Sequence, residues 1–280
     1  MTGTRTLAFL RSRLLGAVTL PALIGAAWAY RHGAWTASGA GPGVAWLRLG
    51  LALAGLAAVE LLNLFGADYL SYRSAGADPP LPGNPVASRL DPRRIPAVLL
   101  ALAAVGAGTL LYFVLAVSPA VLAFLLPAAA VGALYVFSPF PFAFLATALV
   151  PPLVAGGVAF ALSGRAEAGA FLSAVPVALV SVGVINTYRI AYRRPPPTFG
   201  VRIAAVLLPY VLADAAVAVL LLVRLYPRAG FFALLPAIVF PGWAARLLLT
   251  ERAGPVPATA VGVLLHSTLS LAIAAGLGLG

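Results

Sequence analysis

Long runs of apolar residues, each about the length that crosses a bilayer, recur along almost the whole chain. A hydrocarbon core of about 30 Å takes about 20 such residues in a helix. Nine stretches qualify: roughly 14–30, 44–67, 95–117, 119–137, 143–163, 168–188, 201–223, 230–250 and 256–279. They are continuously apolar with no period of two, which predicts helices rather than the strands of a barrel. Charged residues are only 9% of the 280, and mean hydropathy is +1.03. A soluble domain covers its surface with roughly 25% charge, which 7 acids and 18 bases cannot supply. A soluble enzyme, a disordered tail and a secreted disulfide scaffold are excluded. The expectation is an all-α integral membrane protein of nine transmembrane helices, one domain over 1–280.

Cysteine is absent, which removes disulfides, thiolate nucleophiles and thiolate metal ligands. Every base is arginine, so Schiff-base chemistry is out as well. A net charge of +11 would suggest nucleic acid for a soluble chain. Here the arginines sit between apolar runs, so they point to anionic headgroups and topology signals, with no nucleic acid as partner. No cleavable leader pattern precedes the first apolar stretch, which is read as the first span.

Counting arginines gives an orientation. With the N-terminus inside, the inner face receives Arg5, Arg11, Arg13, Arg73, Arg89, Arg93, Arg94, Arg189, Arg193, Arg194, Arg202, Arg246 and Arg252. The outer face receives Arg31, Arg48, Arg165, Arg224 and Arg228. Thirteen against five is a positive-inside bias and predicts N-in, C-out. Gly106-Ala107-Gly108 and Gly156-Gly157 are expected at close helix contacts. Pro151, Pro152, Pro209 and Pro241 fall inside spans, where a kink or break is expected.

Two inner loops are long, about 68–94 and 189–200. Each is rich in arginine and follows a helix that ends near an intramembrane asparagine, Asn63 or Asn186. This is a weak internal repeat, and polar groups repeated at one depth suggest a shared site. The first unit offers Glu60, Asn63, Asp68, Ser71, Arg73 and Asp78. Carboxylates and arginine at a membrane edge suit a Mg²⁺-bridged diphosphate. They equally suit a Glu60 that pairs for helix packing, with Asp68 and Asp78 capping turns. The second unit, Asn186, Tyr188, Arg189, Arg193, Arg194, Thr198 and Arg202, holds no carboxylate. It is an anion binder or a headgroup anchor. Asp214, in mid-span, is expected to form a structural pair, and His266 to be a hydrogen-bonded packing residue. His32 lies in a loop. Tyr135, Phe140, Phe142 and Phe144 are expected to pack in the bundle.

Four segments in order resemble the UbiA superfamily of intramembrane prenyltransferases. The branch they resemble most is the 1,4-dihydroxy-2-naphthoate polyprenyltransferases of menaquinone synthesis. "TLPALIGAAWAYRHG" is similar to that family's opening helix, with Leu-Pro-x-Leu-x-Gly before Ala-Tyr-Arg-x-Gly. "ADYLSYRSAGAD" resembles its Asn-Asp-Tyr-x-Asp-Tyr-x-x-Gly-x-Asp, and "LYVFSPFPFAF" its Tyr-x-x-x-Pro-Phe-Pro-Leu-x-Tyr. "NTYRIAYRRPPPTFGVRIA" resembles Asn-Asn-x-Arg-Asp-x-x-x-Asp and the segment that follows it.

The resemblance implies a UbiA-like bundle around a central lipid cavity, multi-pass in the inner membrane. Its substrates would be a prenyl diphosphate and an aromatic acceptor, with Mg²⁺. Asp68 and Asp78 would hold the metal and carry the catalytic role. Asn63, Arg73, Asn186, Arg189 and Arg193 would bind the diphosphate. The chain also departs from the pattern. Ala67 and Ser71 replace an Asn and an Asp of the first motif. Ile190 and Arg194 stand where the second motif carries acids, and Leu145 and Leu149 where the middle segment carries Arg and Glu. Two outcomes follow: arginines that neutralise the diphosphate beside one metal ion, or a non-catalytic member that binds an isoprenoid lipid or a partner protein. A small-solute transporter is disfavoured, because Glu60 and Asp214 are the only acids within the predicted spans.

Overall fold

The computed structural model of the protein describes residues 18–33, 35, 41–74, 93–137, 142–192, 199–249 and 255–280. All regular structure among them is helical. The helices are α1 (Thr19–Arg31), α2 (Gly41–Ser74), α3 (Ile95–Ala116), α4 (Leu122–Phe137), α5 (Phe142–Ser163), α6 (Ala168–Ser173), α7 (Val175–Tyr192), α8 (Phe199–Leu222), α9 (Leu234–Leu249) and α10 (Pro255–Leu279). Short 3₁₀ turns, Pro119–Val121 and Arg228–Ala233, lead into α4 and α9. Each of the nine apolar stretches thus holds a helix among the described residues, with α6 and α7 sharing one stretch. Among the described residues, four segments are long and apolar enough to cross a membrane by length and composition: Gly41–Asn63, Ile95–Ala116, Ala168–Thr187 and Val261–Leu279.

The chain is a multi-pass membrane protein, and α3 shows why. Its mean hydropathy is 2.4, yet only 6% of its most apolar window is buried inside the protein. Leu100 and Leu115 are 72% and 77% exposed. A helix apolar on every side and open on most of them is stable only against lipid.

The core forms two clusters that meet at α1 and α5. On α1, Ile24 and Trp28 face one cluster, and Ala22, Ala26 and Ala29 face the other. On α5, Ala155 and Ala159 join the first, and Val154 and Val158 the second. Spacings of three and four residues give each set its own face, so that each helix serves both clusters. The first cluster gathers α6, α7, α8 and α10; the second gathers α2 and α3. The central pair packs so closely that a Cβ on Gly25 would overlap the Ala155 backbone. Small residues permit that approach. Of the predicted glycine contacts, Gly156 lies against Phe171, Gly157 against Phe124 and Gly106 against Val59, whereas Gly108 faces open space.

Two boundaries differ from expectation. Helix α2 runs to Ser74 and α7 to Tyr192, so each predicted inner loop begins as helix. The sequence holds no proline from Asn63 to Ser74 or from Asn186 to Tyr192, and polar residues do not end a helix that leaves lipid for water. Of the kink or break expected at the prolines, no break occurs. Pro151, Pro152, Pro209 and Pro241 all sit inside unbroken helices, as does Pro127. Neighbouring groups in a membrane bundle can re-satisfy a carbonyl that proline frees. The interruption falls instead at Ala174, two residues before Pro176. Pro176 offers no N–H to the Leu172 carbonyl, and the Ala174 amide turns back to Phe171 at 3.1 Å.

Candidate functional site

The geometry of α1 fixes which ends of α2 and α7 meet. Glu60 on α2 is buried at the start of α1: its Oε2 accepts from the Thr19 hydroxyl at 3.1 Å and its Oε1 from the Val18 amide at 3.4 Å. At the other end of α1, the Trp28 indole donates to Glu167 Oε2 at 2.5 Å, just before α6. Helix α2 therefore runs antiparallel to α1 and ends on its N-terminal side. The α6–α7 rod starts at the C-terminal end of α1 and runs the same way. Asn63 and Asn186 consequently lie toward one end of the bundle, with α5 packed against both α2 and α7.

Each predicted site residue can be placed on this frame. Asn63 and Asn186 are half-buried on α2 and α7. Asp68, Ser71 and Arg73 fall on the last turns of α2, and Tyr188, Arg189 and Ile190 on the last turns of α7; their side chains lie outside the described residues. Asp78, Arg193, Arg194 and Thr198 lie wholly outside them. Arg202 falls on α8, and Tyr135, Phe142 and Phe144 on α4 and α5, again without described side chains, while Phe140 is outside altogether. Glu60 ties α2 to the start of α1: its carboxylate accepts from the Val18 amide and the Thr19 hydroxyl, where the helix dipole favours negative charge. Among the described residues, no group of three His, Asp or Glu side chains could hold a metal.

A second polar region gathers around Tyr210, which the sequence had not singled out. The ring of Tyr210 on α8 packs where a Cβ on Gly183 of α7 would sit, and its hydroxyl does the same over Gly262 of α10. The Thr187 hydroxyl adjoins it but donates to the Gly183 carbonyl at 2.8 Å. The Tyr210 hydroxyl is left buried without a hydrogen-bond partner among the described residues. Asp214 lies one turn beyond Tyr210, and His266 one turn beyond Gly262. Asp214 Oδ1 and His266 Nε2 are likewise buried and unpartnered among the described residues. The structural pair expected for Asp214 and the hydrogen bond expected for His266 are not present at those atoms. Unsatisfied buried polar groups are costly and mark functional interiors. The visible signal was Tyr210 and Asp214 at a spacing of four on one helix. That Tyr210 comes to lie over Gly262, one turn from His266, left no trace in the sequence, because the two belong to different spans.

No family model matches the chain, and no curated protein matches it. Among solved structures, one from a study of a digeranylgeranylglyceryl phosphate synthase in membranes aligns over 100% of both chains, with a TM-score of 0.60 and 13% identity. At that identity the likeness is one of fold: the chain shares the helical architecture of that structure over its whole length.

Proposed function

We propose, from a fold shared over its whole length with a membrane prenyltransferase, that this chain is a UbiA-superfamily protein of the inner membrane. Its nine helices would run N-in, C-out, and it would transfer a prenyl group from an allylic diphosphate to an acceptor. The observation that carries the reading is the full-length structural alignment. The convergence of the Asn63 and Asn186 ends of α2 and α7 supports it.

In this reading the polyprenyl tail lies among the apolar helices and the diphosphate sits at the α2–α7 end. The allylic C–O bond breaks, the diphosphate leaves with the electron pair, and an acceptor carbon or oxygen takes the cation and sheds a proton. Arg73, Arg189 and Arg193 would bind phosphate oxygens, as planar guanidiniums bind them in pairs. Asn63 and Asn186 would donate amide hydrogens. Asp68 and Asp78 are the residues that would hold Mg²⁺, and their hard oxygens suit it. The ion would offset charge on the departing diphosphate. The α7 segment brings an amide and arginines, which suit anion binding and not a second ion. Apolar walls would keep water from the cation.

The acceptor is proposed to be an aromatic quinone precursor. The structural neighbour's name specifies a glyceryl phosphate product, which is the competing acceptor class. The missing acids at Ser71, Ile190 and Arg194 favour a second reading, in which the fold holds an isoprenoid lipid or a partner protein without turnover.

Purified protein given radiolabelled allylic diphosphate and Mg²⁺ with both acceptor classes separates the readings. Prenylated product, lost at least a hundredfold in Asp68→Asn, is the expected result. Lipid or diphosphate binding without product would establish the second reading. Neither product nor binding would leave the fold alone standing.

A further inference from the structure

At the end of the bundle opposite Asn63 and Asn186, three arginines distant in sequence come together. Arg31 at the end of α1, and Arg224 and Arg228 between α8 and α9, line one cavity of about 690 Å³. Among the described residues, no acid lines it. Glu167, the acid that precedes α6, is engaged by the Trp28 indole. The charge pattern assigns five arginines to the outer face, and three of those five converge here.

The frame of the cavity is held by its own hydrogen bonds. Arg31 Nη1 donates to the Leu225 carbonyl at 2.8 Å. The Tyr226 amide donates to Leu220 at 3.0 Å, and its buried hydroxyl donates to the Ser173 carbonyl at 2.5 Å. Arg224 stands in the left-handed backbone region, φ 60. A glycine would adopt that conformation without strain; this chain puts a guanidinium there instead. The remaining wall is apolar. Leu222 and Phe231 are 81% and 62% exposed and continue the outward apolar surface of α8 and of the turn before α9.

Concentrated positive charge beside a lipid-facing apolar wall matches a ligand with a phosphate head and hydrocarbon tails. We propose that this cavity binds the phosphate of an anionic phospholipid, with the arginines on its oxygens and an acyl chain along Leu222 and Phe231. Guanidiniums recognise phosphate oxygens in a fork geometry. A zwitterionic headgroup brings its own ammonium, which three guanidiniums repel. The site stands independently of any prenyl transfer at the other end.

The test is native mass spectrometry of the full-length protein in mild detergent, with phosphatidylglycerol, phosphatidylcholine and inorganic phosphate as probes. One phosphatidylglycerol should be retained per protein, at least tenfold in preference to phosphatidylcholine. The pair Arg224→Gln and Arg228→Gln should abolish the preference. Arg224→Gly, which relaxes the backbone, should weaken it while the protein melts no earlier. Arg48→Gln with Arg165→Gln, on the same face outside the cavity, should leave it unchanged. Arg31 is spared because its bond to Leu225 belongs to the frame. Equal retention of both lipids, or a preference that survives the Arg224 and Arg228 changes, overturns the proposal. Displacement of the lipid by equimolar inorganic phosphate also overturns it, giving the cavity to a free anion.

Discussion

Two buried tyrosines show how the same side chain can stabilise or burden this protein. Tyr226 lies in the turn after α8, outside the spans, and its hydroxyl donates to Ser173. Burial raises its phenol well above the usual tyrosine range, so it stays protonated and able to donate at any physiological pH. Tyr226→Phe should therefore cost about 1–2 kcal/mol, because the change strands a buried carbonyl. Tyr210 is the opposite case. Its hydroxyl has no partner among the described residues, so Tyr210→Phe should be neutral or stabilising by up to about 1 kcal/mol. Denaturation of the two variants in one detergent compares them directly. A Tyr210→Phe protein clearly weaker than wild type would mean that its hydroxyl is bonded after all. Neither role was legible in the sequence, since Ser173 lies 53 residues from Tyr226. Glu60 and Thr19, 41 apart, were hidden for the same reason. Single polar residues within apolar runs announce themselves, but their partners come from other helices and leave no local trace.

At the scale of elements, contact between helices depends on where the small residues sit. Gly25→Ala should weaken the α1–α5 contact by about 1–3 kcal/mol, because its new methyl meets Ala155 backbone that cannot rotate away. Gly108→Ala should be silent, since nothing lies within 4 Å. Thermal melts of the purified variants check the contrast, and equal losses at both sites would contradict the packing described. Among the described residues, a helix in each of the nine apolar stretches was legible, because lipid admits few other ways to satisfy a backbone. Helix ends were less so. The polar turns from Asp68 to Ser74 read as loop because hydropathy registers the exit from lipid and not the end of hydrogen bonding. The break at Ala174 went unnoticed because Pro176 looks no different in sequence from Pro151 or Pro209, whose helices continue.

For the whole molecule, the charge pattern predicts that the segment between α2 and α3 faces the cell interior and the turn after α8 faces out. The chain has no cysteine of its own, so Ser88→Cys and Ala229→Cys each introduce a single reactive thiol. Ser88→Cys should react with an impermeant maleimide only after lysis, and Ala229→Cys already before it. The reverse pattern would invert the molecule. The sequence offered the candidate site as paired polar helix ends, of which Asn63 and Asn186 have described side chains and Asp68, Asp78, Arg73, Arg189 and Arg193 do not. The arginines of the opposite cavity were read as headgroup contacts and topology signals and not as one site, because Arg31 and Leu225, 194 residues apart, meet only in the fold.

Helix α2 has 34 residues, a rod of about 50 Å. The hydrocarbon it crosses is about 30 Å thick. Roughly 20 Å of it therefore stands clear of the oily layer. Chemistry carried on its last turns happens at a phase boundary. In the proposed reaction a diphosphate released there would pass straight into water, while a prenylated product would stay in the lipid. The two would part by partition, with no gate needed to sort them.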